Sequence, residues 1–563
     1  MQEFCKMRLD FSQIFLHTQC RLVTLLLLAI ASFAHAYEGE CGTMTLFENL
    51  IKERKHPGSA NISYKVSISS KSPKCTAEDY YDSVYTIETS HFQVMYVLTG
   101  PHATTKAFAD STAAIFEEAW NFYINKLKMR TPKGPRISLH FQQKIRDGLY
   151  PVEIIDINQI RNNIINGNGC AENFGITYPL NDNETSHIFV ENDFYSTCPN
   201  KNNQDTIFVH GDTCLYTKPT SPLRNKTYDF LYSKEWVKGL RVTIFHEFYH
   251  AIQLSYISYI INESFWFEAS AAGFEEITNP DIDDYFRYLS DFFGRMGKPL
   301  SNTFRNYGAS TLFLYLYHKV SEKLDKAIWE NFSKNPSKNF EYQLEAALKE
   351  LKLDADSVFH DYSVRLSFSG ERSSSLNKKD WINEDQSQWS SAKFNVDNAI
   401  KPNIESLAFD FYHNNKGSST PDLTDFIGKA TVIAFNDGKA TFYKIQNNKT
   451  LDSLAVILAS CDSTTWIFSR LGQSESIPIM NNTAAPHAFP VPWRQGPLCF
   501  APLPHDKKFI EIRNRRGDLV SQEKYDGTTY CLPEDKVKSM MAPGVYRFRV
   551  GNKGKTTSFI VVH

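Results

Sequence analysis

Two histidines and a glutamate form the clearest chemical pattern in this chain of 563 residues. His246 and His250 are four positions apart, and Glu247 directly follows the first histidine. On a helix this spacing puts both imidazoles on one face, one turn apart, where they can share a metal ion. Glu247 would lie beside them, placed to take a proton from a metal-bound water. Alone, such a five-residue pattern arises by chance in roughly a few per cent of chains of this length.

The site needs a third ligand, because a catalytic zinc ion normally has three protein ligands and one position for water. Glu268 is the best candidate, since the 17 residues between it and His250 leave room for a helix end, a turn and a second helix. The small side chains at 269–273 would let that helix pack closely. We therefore predict that His246, His250 and Glu268 hold one Zn²⁺ per chain. The alternative is that both histidines are buried polar residues satisfied by protein neighbours.

The residues that flank His246, His250 and Glu268 also match a known family. Residues 246–253 read His-Glu-Phe-Tyr-His-Ala-Ile-Gln, and 266–271 read Trp-Phe-Glu-Ala-Ser-Ala. Together they resemble the gluzincin zinc peptidases, most closely a family of secreted metalloproteinases known largely from bacterial genomes and first defined by a myxobacterial protein. The resemblance is specific over about 230–320, weaker over about 92–370, and says little about 395–563. It implies a zincin-like fold, a single zinc ion and peptide-bond hydrolysis. Ala269 departs mildly from a glycine that is common in the family, and the G-x-M-E-N motif of gluzincin aminopeptidases is missing, which favours an endopeptidase.

Three further features could support catalysis. Tyr307 resembles a tyrosine that precedes a small-residue helix in gluzincins and would donate a hydrogen bond to the developing oxyanion; alternatively it is a packed tyrosine. Glu275 could orient a ligating histidine, or it is a solvated helix residue. The segment Ser186–Glu191 reads as a strand, and we expect it to be the edge strand that pairs with an extended substrate.

Two helices must position these groups. Residues 233–260 predict a helix with apolar side chains on nearly all sides, which indicates burial inside a larger domain. A second helix is predicted over 264–277, and Asn279-Pro280 would end it. Beyond about 395, short apolar segments such as 454–459 alternate with turn residues and read as strands.

We expect an α+β protein with four parts. Residues 1–36 read as a signal peptide, because Arg21 precedes an apolar run at 22–33 that ends in Ala34-His35-Ala36; an uncleaved anchor is the alternative. Residues 37–370 would form the zincin-like domain, with a β-rich part at 37–100. Residues 371–394 are polar and read as a linker. Residues 395–563 would form an all-β, sandwich-like domain.

Composition narrows the partners. The formal net charge of -2 and the pI near 6.8 argue against a nucleic-acid-binding protein, which would be strongly basic. The sequence has no second long apolar segment, so we expect no stable membrane span. Eight cysteines would follow the signal peptide, which suggests disulfides in a secreted chain. Proximity alone suggests Cys41–Cys75 and Cys461–Cys499. Seven N-x-S/T sequons are compatible with a glycoprotein.

The sequence thus predicts a secreted, extracellular zinc peptidase, in which Glu247 acts as general base on a protein or peptide substrate. The C-terminal domain could bind substrate, a glycan or a protein partner. The alternative is a non-catalytic binding or adhesion protein on the same scaffold, and a hydrolase acting on another bond is a third reading.

Overall fold

The computed structural model describes most of the chain between residues 81 and 562. The described residues are 81–157, 173–180, 185–196, 204–209, 212–217, 221–222, 235–257, 264–302, 305–336, 338–396, 400–415, 420–437, 439–446, 448–473, 487–489, 493, 498–501, 503, 509–525, 530–551 and 556–562. The predicted signal peptide, residues 37–80 and the pair Cys41–Cys75 lie outside them. The chain divides into two compact units, Met1–Ile477 and Pro478–His563.

The first unit mixes helices and strands, as the sequence led us to expect. Its strands are β1 Val84–Glu88, β2 Phe92–Val97, β3 Tyr150–Ile155, β4 Gly175–Pro179, β5 Ser186–Glu191, β6 Tyr195–Ser196, β7 Gln204–Val209, β8 Asp212–Thr217, β9 Ser221–Pro222, β10 Ala408–Asn415, β11 Lys429–Asn436, β12 Lys439–Ile445 and β13 Ser463–Arg470. Its α-helices are α1 Lys106–Trp120, α2 Trp236–Tyr256, α3 Ser264–Thr278, α4 Phe286–Gly294, α5 Ser310–Tyr315, α6 Leu324–Lys334, α7 Phe340–Glu350, α8 Ala355–Leu366 and α9 Asn448–Ala459. Short π-helical turns extend α1 and α5 at Asn121–Lys126 and Leu316–Val320.

A five-stranded mixed sheet supports the two central helices. Its order is β1-β2-β3-β5-β4, with β2, β3 and β5 parallel and both outer strands antiparallel to their neighbours. The expectation that Ser186–Glu191 is the edge strand was wrong, because β5 lies between β3 and β4. All six of its side chains are buried, as suits a strand inside a covered sheet. Among the described strands, β4 is the outermost on this side of the sheet.

Close packing joins the helices α2 and α3 to the rest of the core. Asp325 on α6 accepts hydrogen bonds from the Tyr249 hydroxyl on α2 and from Trp266 Nε1 on α3, the latter at 3.1 Å. Burial raises the pKa of Asp325 to about 7, although these hydrogen bonds act to lower it. Gly273 on α3 faces Phe313 on α5, and a Cβ at this glycine would lie 2.1 Å from the ring. A larger residue there would push the two helices apart.

The segment 371–394 differs from the linker predicted by its polar composition. Two 3-10 helices, Gly370–Ser375 and Lys378–Asp380, begin it, and Ile382 and Trp389 are buried in the main core. Tyr285 accepts hydrogen bonds from Asn383 Nδ2 at 2.9 Å and from Trp389 Nε1 at 2.8 Å. A few large apolar side chains therefore fix a segment whose average composition is polar.

The all-β domain expected from 395 also differs from the structure. Residues up to 477 belong to the first unit, where the antiparallel sheet β10-β13-β11-β12 packs with α8 and α9. The predicted strand at 454–459 is the end of α9. An apolar run this short has no decisive period.

In the described part of the second unit, two antiparallel sheets surround one hydrophobic core. The strands are β14 His487–Phe489, β15 Leu498–Ala501, β16 Phe509–Asn514, β17 Leu519–Lys524, β18 Tyr530–Leu532, β19 Gly544–Val550 and β20 Thr556–Val561, and one helix, α10 Glu534–Met540, follows β18. The sheets are β14-β15-β18 and β17-β16-β19-β20. Among the described residues of this unit, both sheets contribute side chains to the same core.

Cysteine and sequon predictions are corrected by these elements. Cys499 pairs with Cys531, directly opposite on β18, so the pair Cys461–Cys499 was wrong; Cys461 is a free, buried thiol. Asn331 is buried on α6 and donates to Gln343 O at 3.4 Å, so its sequon is not accessible in the folded chain.

Within the described ranges, no helix is both long enough and apolar enough to cross a bilayer.

Candidate metal centre

His246, His250 and Glu268 come together between α2 and α3. Their ligand atoms all lie within 4.8 Å of one another. His246 Nε2 is 3.1 Å from Glu268 Oε2, and His250 Nε2 is 3.6 Å from Glu268 Oε1. All three side chains are buried. The helical spacing of the histidines and the packing of α3 on α2 thus produce the predicted grouping.

Gln253 fixes the orientation of His250. Its Nε2 donates to Phe267 O at 3.0 Å and to Ser270 Oγ at 3.0 Å, and its Oε1 is 2.7 Å from His250 Nδ1. Because the carbonyl of Phe267 can only accept, the amide nitrogen of Gln253 must face α3 and the amide oxygen must face the imidazole. His250 Nδ1 therefore carries the proton, which leaves Nε2 with a free electron pair directed towards the cluster.

Glu275 performs the same task for His246. When Glu275 is ionised, its Oε1 accepts a hydrogen bond from His246 Nδ1, and the Nε2 atom of this histidine then also faces the cluster as a base. Glu275 is buried, and the alternative of a solvated helix glutamate was wrong. Burial raises its pKa to about 7, whereas the hydrogen bond and charge of His246 act in the opposite direction.

The three grouped residues fit a divalent cation. Glu268 Oε1 is buried and accepts no hydrogen bond from any residue in the described ranges, which is costly for a carboxylate unless a cation compensates it. Burial acts to raise the pKa of Glu268, whereas His250 and His246, when they are protonated in the metal-free chain, lower it to about 2. Two imidazole nitrogens and a carboxylate are ligand types that zinc accepts.

Glu247 points towards the edge strand β4. Thr177 Oγ1 lies 2.7 Å from Glu247 Oε2 and 2.7 Å from its backbone oxygen, so this hydroxyl can donate to either. Gly175 lies directly against the same side chain, because a Cβ there would be 2.5 Å from Glu247 Cγ. Neither residue was identified from the sequence; both lie some 70 positions before Glu247 and belong to no motif.

Tyr307 lies near the cluster. Its ring is nearly parallel to that of His246, with 6.1 Å between ring centroids, and it stacks on Tyr288 at 4.4 Å. Arg287 Nη2 donates to the Tyr288 hydroxyl at 2.6 Å. Tyr307 is therefore next to a grouped histidine and is also held by aromatic packing. Its position is compatible with both interpretations, a donor to the oxyanion and a packed tyrosine.

Comparison with known proteins adds little to this geometry. No protein-family model matches the chain, and no curated protein matches it in sequence. One solved structure that matches is PorZ, described as an essential bacterial surface component of the type-IX secretion system of Porphyromonas gingivalis. The match has 19% identity, covers 17% of this chain and 14% of that one, and has a TM-score of 0.13. A likeness this limited carries no argument about fold or function.

Proposed function

We propose that this protein is a zinc-dependent endopeptidase of the gluzincin type, with a zincin-like catalytic fold in its first unit. One observation carries the proposal: three buried side chains of ligand type converge within 4.8 Å, and Glu247 directly follows the first of them. The hydrogen bonds of Gln253 and Glu275 support it, because both leave the Nε2 atoms directed at one point.

The proposed chemistry follows from these positions. His246, His250 and Glu268 would hold one Zn²⁺, which when bound lowers the pKa of water and polarises a carbonyl group. Glu247 takes the proton of the attacking water and passes it to the leaving amine. Thr177 holds the Glu247 carboxylate in place. Tyr307 donates to the oxygen of the tetrahedral intermediate in this proposal.

The substrate would be a protein or peptide in an extended conformation. The strand β4 is an edge strand of the described sheet and contacts Glu247 through Gly175 and Thr177. An extended chain can pair with such an edge through main-chain hydrogen bonds. We also infer secretion from the N-terminal pattern at 1–36, and a glycan or protein as partner of the C-terminal part.

Metal analysis and peptide-library cleavage test the proposal together. The full mature chain should contain about one zinc and cleave peptides. Glu247→Gln should keep the zinc and lower kcat/KM by about 10²–10⁴-fold, because only the proton transfer is lost. His250→Ala should lose the metal. Glu350→Gln, an exposed change on α7, is the matched control and should alter neither property.

Two outcomes would contradict the proposal. If native protein contains no zinc after purification in zinc-containing buffer, the proposed metal site does not exist. Zinc-loaded protein that cleaves nothing across a broad library would favour the non-catalytic binding protein, or a hydrolase acting on another bond.

A further inference from the structure

A cavity of about 850 Å³ in the first unit shares no lining residue with the metal centre. It lies between α8 on one side and the strands β11 and β12 on the other. Phe442 on β12 is 43% exposed, so the cavity opens along this strand. Its volume is within the range of about 300–1,000 Å³ that is usual for small-molecule sites. The proposed zinc chemistry makes no use of it.

The helix wall of this cavity changes from polar to apolar along its length. Ser357 and His360 line the cavity in the first half of α8, and Val364 lines it in the last turn. Phe368 follows just after the end of the helix and also lines the cavity. The polar end is fixed to the sheet, because His360 Nε2 is 2.8 Å from Thr431 Oγ1 on β11.

The strand wall changes from polar to apolar in the same direction. Lys444 on β12 is the register partner of Thr431, and Phe442 lies two positions earlier on the same face of the strand. The Phe442 ring is 5.8 Å from the Phe368 ring, measured between centroids. Lys444 is therefore at the same end as His360, whereas Phe442 is at the opposite end with Phe368. The cavity thus has one polar end and one apolar end.

Lys444 gives the polar end a positive charge that no carboxylate neutralises within the described ranges. Lys429 is paired with Asp354 at 3.1 Å, whereas Lys444 is exposed and forms no ion pair there. Burial and the charge of Asp354 raise the pKa of Asp356, and Lys429 opposes this shift. Lys444 lies near His360 instead. Burial, followed by the charge of Lys429, lowers the pKa of His360 to about 4, and the charge of Lys444 contributes to this decrease.

The other cations of the lining already have protein partners. Arg365 is paired with Asp361 at 2.7 Å and with Asp380 at 3.6 Å. Arg470 Nη1 donates to Ile404 O at 3.4 Å. An anion can therefore reach Lys444 without displacing a protein group, which is not true of the other three cations.

We propose that this cavity binds an elongated organic acid, with its carboxylate at Lys444 and its apolar body against Phe368 and Phe442. The stretch of α8 from Ser357 to Val364 spans about 10 Å, and an extended decanoate chain has a comparable length. Burial of the apolar body supplies most of the affinity. The ion pair with an exposed lysine contributes less and gives the preference for an anion.

Isothermal titration calorimetry of the full chain with decanoate tests this proposal. The neutral probe is 1-decanol, and the cationic probe is decylamine, which is protonated at neutral pH. We expect one saturable decanoate site per chain, weaker binding of 1-decanol and the weakest binding of decylamine. Lys444→Gln should weaken decanoate binding by about 2–5-fold, as for an exposed ion pair, and leave 1-decanol binding unchanged. Phe442→Ala should weaken the binding of both probes by about 10-fold, because each loses an apolar contact.

Two exposed residues outside the lining provide matched controls. Lys439→Gln removes another cation from β12, and Val456→Ala shortens an apolar side chain on α9; both variants should bind decanoate like native protein. Absence of saturable decanoate binding to native protein would overturn the proposal. So would equal affinity for decanoate and decylamine, or decanoate binding that is unchanged in both Lys444→Gln and Phe442→Ala. These measurements do not depend on zinc or on peptidase activity, so this site and the proposed zinc chemistry can fail independently.

Discussion

At the scale of single residues, Gly175 has the sharpest steric constraint at the site. A Cβ at this position would lie 2.5 Å from Glu247 Cγ and 2.9 Å from Thr243 Cγ2. Gly175→Ala must therefore displace the Glu247 carboxylate or the strand β4. We expect the proposed peptidase activity to fall at least about 10-fold and the free energy of unfolding to fall by about 1–3 kcal/mol, as for other overpacked sites. Zinc content should stay near one per chain.

Enzyme kinetics, denaturant unfolding and metal analysis of Gly175→Ala check this prediction. Gly294→Ala is the matched control, because its new Cβ would lie 3.6 Å from the nearest atom, the flexible Lys393 Nζ. Equal activity in native protein and Gly175→Ala would show that β4 and Glu247 can move without consequence for catalysis.

The sequence identified the three grouped residues of the candidate site but few of the groups that orient them. His246, His250 and Glu268 follow from spacing along two helices, and local spacing is what a sequence displays directly. Gln253 belongs to the same motif, yet its task depends on the position of Phe267 O across a helix contact. Thr177 lies on a distant strand. Contacts between elements far apart in sequence cannot be read from one chain without the fold.

At the scale of elements, strongly patterned helices were predicted well and strand order was not. The helix predicted over 264–277 is Ser264–Thr278 in the structure, and the one over 233–260 is Trp236–Tyr256. Ser186–Glu191 has the predicted bounds but not the predicted edge position. The side-chain alternation of a strand defines its faces, whereas its neighbours depend on crossovers elsewhere in the chain.

The contact between α8 and its sheet predicts a sensitivity to acid. His360 Nδ1 is 2.7 Å from Ser469 Oγ, and Nε2 is 2.8 Å from Thr431 Oγ1. Burial, followed by the charge of Lys429, lowers the pKa of His360 to about 4. The unfolded chain takes up this proton near pH 6.5. Between these pH values the unfolded state binds more protons, so stability falls as the pH falls from 6.5 to 4, by up to about 3 kcal/mol.

Urea unfolding of native protein and His360→Gln over pH 4–7 measures this contribution. The variant should be less stable at pH 7, because glutamine cannot reproduce both hydrogen bonds, but its stability should decline less steeply in acid. Parallel pH profiles for the two proteins would exclude a neutral, buried His360 as a source of the acid sensitivity.

At the scale of the whole molecule, composition misplaced the boundary between the two units. The polar segment 371–394 suggested a linker, but Ile382 and Trp389 belong to the main core. The observed division lies at 477/478, after the sheet β10-β13-β11-β12. One face of this sheet packs into the main core, and the other face packs into a smaller core that includes α9. A boundary depends on where long-range contacts end, and average polarity reports this only indirectly.

The disulfide predicts that the two units respond differently to reduction. Cys499–Cys531 closes a loop with a sequence separation of 32 within the second unit, and a loop of this length stabilises the folded state by about 3–4 kcal/mol in the chain-entropy model. A unit of fewer than 90 residues has a small core, so this is a large share of its stability. Reduction, or Cys531→Ser, should therefore greatly destabilise the second unit.

Hydrogen exchange followed by mass spectrometry can measure both units in the full chain, because their peptides are distinguishable. We expect faster exchange in β15, β18 and the strands that share their core, and unchanged exchange in α2 and α3. Cys461→Ser is the control, since that buried thiol forms no disulfide and reductant should have no added effect through it. Equal acceleration in both units would mean that they unfold as one cooperative body, because the cross-link joins residues of the second unit alone.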